Sequence, residues 1–151
     1  MSQNDLLKLE NQLCHPIYST SNALMRVYKP LLDPLDLTYP QYLIMLALWE
    51  KDGVNINDIS ERTFFDSGTL TPLLKKLHQK GFISMKANKD DRRNRVISLT
   101  KSGHYLKEKA SSVPTSLSCS INISKKEIEL FKKIVHSLHQ SLLEYEMNKQ
   151  E

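Results

Sequence analysis

The chain has 151 residues, 40% hydrophobic and 25% charged, with only four glycines. That is long enough for one sizeable core but offers no glycine-rich phosphate loop of G-x-G-x-x-G or P-loop type. Two cysteines, Cys14 and Cys119, exclude a disulfide scaffold, and the longest apolar stretch, Leu43 to Trp49, is far too short to span a bilayer. The net charge of +4 is unevenly placed: residues 1–74 hold five Lys or Arg against nine Asp or Glu, residues 75–109 eleven against three, and residues 110–151 five of each. A basic centre between acidic and neutral flanks fits a polyanion-binding surface, with a solvated charge run as the bland alternative.

In chain order, Leu6, Leu9, Leu13, Ile17 and Leu24 recur mostly at three or four positions and predict one helix from Leu6 to Tyr28. Pro16 is tolerable there only in a first turn, and Lys29-Pro30 and Asp33-Pro34 punctuate the next stretch. Thr38 can cap a second helix, 41–51, with Pro40 near its first position. That helix is apolar nearly all round and belongs in a core; Asp52-Gly53 ends it. Asn55 or Asn57 starts a short helix through Ile59 to Thr63. Asp66 or Ser67 caps the next, whose Leu70, Leu73, Leu74 and Leu77 keep helical spacing up to Gly81. Two short helices joined by the tight turn Phe64-Phe65-Asp66 have the layout of a helix-turn-helix.

Phe82 to Met85 and Arg95 to Leu99 read as strands around a highly charged loop, 86–94. A hairpin this small leans on its neighbours, and following a helix-turn-helix it is a wing. Thr100 or Ser102 caps another helix ending near Pro114, and the serine-rich stretch 111–120 predicts a loop or a broken helix. Ser124 with Glu127 forms a capping box for a last helix. Its Ile128, Phe131, Ile134, Val135, Leu138, Leu142 and Tyr145 make one apolar stripe. The fold class is therefore mainly α with a small β-hairpin, a winged helix-turn-helix in a single domain, 1–151. The DNA-binding part spans about 37–100. Helices at about 6–30 and 101–147 present apolar faces for a homodimer interface.

In the candidate recognition helix the leucines face inward. Ser67, Thr69, Thr71 and Pro72 lie in the first turns, where such helices touch base edges and phosphates. Lys75, Lys76 and Lys80 follow and can neutralise phosphates, while Arg92, Arg93 and Arg95 can reach an adjacent minor groove. The alternative is a capped surface helix beside a charged loop. The run LTYPQYLIMLALWE, the segment DSGTLTPLLKKL and the wing end DDRRNRVISLTKSG resemble the MarR family, and within it the organic-hydroperoxide regulators. The resemblance covers nearly the whole chain. It implies a symmetric dimer on an inverted-repeat DNA operator, a usual mode of repression, and Asp91 and Arg93 as the acidic–arginine pair of the wing.

The resemblance also implies a peroxide-sensing cysteine. Leu13-Cys14 with Tyr18 and Tyr28 matches that motif, whereas His15 and Pro16 depart from the apolar residues usual there. Cys14, Tyr18, Ser21, Met25 and Tyr28 line one helical stripe. On a continuous helix Tyr28 lies roughly 21 Å from Cys14. It could meet only the Cys14 of an antiparallel partner, which predicts a sensor pocket of Tyr18, Met25 and Tyr28 shared between subunits. Oxidation by an organic hydroperoxide would give a sulfenic acid that Cys119 of the other subunit traps as a disulfide. Otherwise Cys14 is a small buried apolar residue, and Cys119 need not react. A phenolic or lipophilic ligand without redox chemistry, or a thiol peroxidase, are the competing functions. No cofactor is expected, and His15, His78, His104, His136 and His139 form no metal constellation. With neither a secretory signal nor a membrane span visible, a cytoplasmic protein is expected.

Overall fold

The computed structural model describes residues 3–87 and 95–149. Its elements are α1 (Gln3–Leu6), a 3-10 turn (Leu9–Asn11), α2 (Cys14–Leu32), a second 3-10 turn (Asp33–Leu35) and α3 (Tyr39–Glu50). Then come β1 (Val54–Asn55), α4 (Ile56–Thr63), α5 (Ser67–Gln79), β2 (Ile83–Ala87), β3 (Arg95–Leu99), α6 (Lys101–Ala110), α7 (Val113–Ser120) and α8 (Lys125–Asn148). They form two compact units, Met1–Leu117 and Ser118–Glu151. Among the described residues no helix is long and apolar enough to cross a membrane.

The single helix expected from Leu6 to Tyr28 is divided, and its break lies just ahead of Cys14. Pro16 explains the placement: it is the third residue of α2, where the missing N–H would have had no helical partner. The helix then continues past Lys29-Pro30, because Pro30 lies two residues from its end and removes only one internal bond.

Helix α3 is the centre of the first unit. Thr38 and Gln41 close its capping box, and Tyr42, Ile44, Met45, Ala47 and Leu48 are buried on it. Against them pack Leu32 from α2, Ile59 from α4 and Leu70, Leu74 and Leu77 from α5, the last four with no exposed surface. Each such side chain contributes about 2 kcal/mol by leaving water, so α5 is held chiefly by its leucine face.

The expected two-stranded wing is a three-stranded antiparallel sheet in the order β1-β3-β2. Val54 pairs with Ile97 on one side of β3, and Met85 pairs with Ile97 on the other. Only two residues long, β1 has no alternation to read. Asp52 anchors this edge, its Oδ1 accepting the N–H of Leu99 at 2.8 Å and of Gly53 at 2.7 Å.

Helix α6 stops at Ala110, short of Pro114. The serine-rich stretch is a broken helix rather than a loop: α7 restarts at Val113, with Pro114 at its second position, where proline is well tolerated. Cys119 therefore sits in the last turn of α7. In the second unit, Ser124 and Glu127 cap α8 reciprocally. That helix has no buried residue and exposes Leu130, Phe131, Ile134, Leu142 and Tyr145.

Candidate nucleic-acid interface and thiol site

The first turn of α5 is built by Asp66. Its carboxylate accepts the Thr69 N–H at 2.8 Å and the Thr69 hydroxyl at 2.7 Å. These hydrogen bonds hold the Asp66 carboxyl below its ordinary range, the hydroxyl contributing most. Thr71 donates its hydroxyl to the Ser67 carbonyl at 2.8 Å. Ser67, Gly68, Thr69, Thr71, Pro72, Lys75 and Lys76 are all exposed, opposite the buried leucines. The face is polar, narrow at its N-terminal end where Gly68 lies, and basic about two turns later.

Lys80, expected among the phosphate contacts, is occupied elsewhere. Its ammonium donates to the Asp36 carboxylate at 2.9 Å, to the Asp36 carbonyl, and to Gln41 Oε1 at 3.3 Å. A lysine has three donors, and all three are turned towards Asp36, between α2 and α3, and Gln41 in the first turn of α3. Arg95 is exposed at the start of β3, opposite Ala87. Asp91, Arg92 and Arg93 lie outside the described residues.

Cys14 is the first residue of α2, exposed, and a free thiol; Cys119 is likewise free and exposed. The expectation of a small buried residue at position 14 does not hold within this chain. Tyr18 stands one turn along α2, 70% exposed, and Met25 is also partly exposed. Because α2 is unbroken from Cys14 to Leu32, Tyr28 lies far along the axis from the Cys14 of its own chain.

Tyr28 belongs instead to an aromatic cluster. Its ring centroid lies 4.7 Å from that of Tyr39 and 6.2 Å from that of Tyr42, and Tyr42 in turn lies 6.2 Å from Trp49. Trp49 Nε1 donates to the Gly103 carbonyl at 3.0 Å. Burial, reinforced by Tyr39 and Tyr42, pushes the Tyr28 hydroxyl up to about 12, so at neutral pH it is a proton donor. Sequence spacing singled out Tyr28 for its place on the α2 stripe; Tyr39, whose ring lies against it, is on another helix and out of that register. Among the described residues no group of three or more His, Cys, Asp or Glu stands together as a metal site.

Residues 26–110 match the family model described as transcriptional regulator SarA/Rot. The chain is 44% identical over 140 residues to the organic hydroperoxide resistance transcriptional regulator of Bacillus subtilis (strain 168), covering 93% of this chain and 92% of that one. It is similar to the solved structure of reduced AbfR bound to DNA, with a TM-score of 0.80 and 32% identity over 95% of this chain and 98% of that one. It is also similar to disulfide-formed AbfR, with a TM-score of 0.66 and 29% identity over 93% and 96%. The Bacillus subtilis relative is named as a transcriptional regulator and AbfR is solved on DNA, which sets aside the thiol peroxidase. With an exposed polar and basic helix face beside a small winged sheet, and an exposed cysteine at the head of α2, the chain belongs to the MarR family of winged-helix transcriptional regulators, in its organic-hydroperoxide-resistance branch.

Proposed function

We propose that this regulator is a homodimeric repressor that leaves an inverted-repeat operator when an organic hydroperoxide oxidises Cys14. The observation that carries the reading is the exposed thiol on the first residue of α2, on the same unbroken helix as Tyr28. Exposed Leu6, Leu9, Leu13 and Ile17 in the first unit, and Leu130, Phe131 and Ile134 in the second, suit a partner subunit. An antiparallel partner would bring its own Cys14 to Tyr28 and Tyr39, whose hydroxyls would donate to the sulfur. The DNA-reading set is Ser67, Thr69, Thr71, Pro72, Lys75, Lys76 and Arg95, with Asp91, Arg92 and Arg93 of the wing.

The chemistry balances simply. The thiolate attacks the terminal peroxide oxygen, an S–O bond forms and the O–O bond breaks. The alkoxide takes a proton and leaves as the alcohol. Sulfur is oxidised by two electrons and the hydroperoxide reduced by two. The Cys119 thiol of the other subunit then displaces water from the sulfenic acid, forming a disulfide. AbfR has been solved both reduced on DNA and in a disulfide form, which favours the same cycle here.

The test is a titration of duplex binding against an organic hydroperoxide. Wild type is expected to release DNA and Cys14→Ser to hold it; equal release by both would discard thiol sensing. Non-reducing electrophoresis checks the second step: a dimer band after treatment that Cys119→Ser lacks. A second reading rests on an apolar cleft of about 270 Å³ lined by Tyr42, Leu46, Trp49, Lys107, Ala110 and Pro114. A small phenolic or lipophilic ligand there would release DNA from Cys14→Ser as readily as from wild type.

A further inference from the structure

We propose that Lys80 is a coupling residue that ties the sensor helix to the DNA-reading helix. This rests on the redox reading above and names the contact through which it would act. Helix α2 runs 19 residues without interruption from Cys14, roughly 28 Å at about 1.5 Å per residue. The 3-10 turn Asp33–Leu35 follows directly. At its end Asp36 takes a left-handed backbone, φ 52, one of two non-glycine residues with positive φ among those described. That turn presents both the carbonyl and the carboxylate of Asp36 to the Lys80 ammonium. The third acceptor, Gln41 Oε1, belongs to a buried side chain that also takes the Thr38 N–H at 3.1 Å. Lys80 itself is the C-cap of α5. One cation thus joins the turn that follows α2, the start of α3 and the end of α5.

Stability is a poor explanation for this junction. The Asp36 side chain is 74% exposed and that of Lys80 25%, and pairs this open to water contribute little. What the junction fixes is geometry. A displacement of α2 caused by chemistry at Cys14 carries Asp36 with it, and the three hydrogen bonds carry the C-terminal end of α5. The N-terminal end of α5, where Ser67 and Thr69 stand, then tilts about the leucine face buried against α3. Without the cation, α2 can shift while α5 stays where its leucines hold it.

The experiment compares full-length wild type, Lys80→Met, Lys80→Arg and Asp36→Asn, reduced and after organic hydroperoxide, on one duplex carrying an inverted repeat. Lys80→Met keeps the aliphatic stem and removes the donors. In the reduced state it is expected to bind DNA within about two-fold of wild type and with the same salt slope, since it gives up no phosphate contact. The factor by which hydroperoxide weakens binding is expected to fall by about five-fold or more, the low end of typical coupling between sites. Lys80→Arg restores part of that factor. Asp36→Asn lowers it less, because the carbonyl acceptor remains, and it serves as the test should Lys80→Met fold poorly. An unchanged release factor in both variants overturns the proposal. So does a shallower salt slope for reduced Lys80→Met, which would return Lys80 to the phosphates. If wild type keeps its DNA under hydroperoxide, the redox reading fails and the tie with it. That outcome is distinct because wild type and every variant would then behave alike.

Discussion

Gly103 shows how a single missing methyl group sets the geometry of the wing. A Cβ built there would stand 2.1 Å from the Phe82 carbonyl oxygen and 3.2 Å from Leu99 Cδ2. Alanine is the better helix former by about 1 kcal/mol, but here backbone would have to move, and overpacking of that kind costs about 1–3 kcal/mol or more. The clash wins. Gly103→Ala is expected to lower the urea midpoint despite its gain in helix propensity, and to weaken DNA binding by shifting α6 against Phe82, just ahead of β2. Tyr28 acts at the same scale through its hydroxyl. In the folded state it holds its proton up to about 12, against an ordinary 10.0. The resulting stability is present in full below pH 10 and is lost as pH rises through the folded value. Tyr28→Phe should therefore flatten the fall in denaturation midpoint over that window. A fall as steep as in wild type would place the effect on Tyr39 and Tyr42, whose hydroxyls burial also pushes up.

Helix α5 is the element on which local and tertiary signals agree. Its start at Asp66, its leucine spacing and its end at Gly81, φ +74, were all legible, because caps and periodicity act within a few residues. The capping box of α8 was legible for the same reason. Legibility failed where the deciding contact is remote. The strand β1 exists only because β3 lies beside it. The charge of Lys80 reads as a phosphate contact until Asp36, 44 positions away, is folded against it. Tyr39 joins Tyr28 only when α2 and α3 pack. The cap of α5 also makes that helix sensitive to acid. The Asp66 carboxyl lies below its ordinary 3.8 because Thr69 donates to it twice. A depressed carboxyl stabilises the fold above its unfolded pKa, and that contribution is lost as pH falls through the folded value. Asp66→Ala is expected to have a lower urea midpoint at pH 7, with the gap to wild type closing below about pH 4. It should also bind DNA more weakly, since Thr69 loses both of its tethers.

The chain concentrates its basic charge in residues 75–109, with eleven Lys or Arg against five in the 74 residues before them, and the second half of α5 lies in that block. The two lysines of that block that stand exposed on α5, Lys75 and Lys76, answer to different physics from the hydroxyls ahead of them. A lysine at a phosphate displaces counterions, so its contribution depends on salt and not on sequence. In the proposed dimer, with one α5 from each subunit on the duplex, neutralising both lysines removes up to four phosphate contacts. At about 0.9 per contact, the slope of log K against log salt should become shallower by about 1.8 for two contacts and about 3.6 for four in the Lys75→Gln, Lys76→Gln protein. Operator and random duplexes should lose affinity together. Thr69→Ala or Thr71→Ala should leave the slope alone and narrow the preference for operator, by about 1–3 kcal/mol for each base edge no longer read. Lys80→Met should do neither in the reduced protein. Filter binding at five salt concentrations on two duplexes separates the three classes. If the Lys75, Lys76 pair left the slope untouched, α5 would not be the element that meets the DNA backbone, and the proposed release on oxidation of Cys14 would act through another surface.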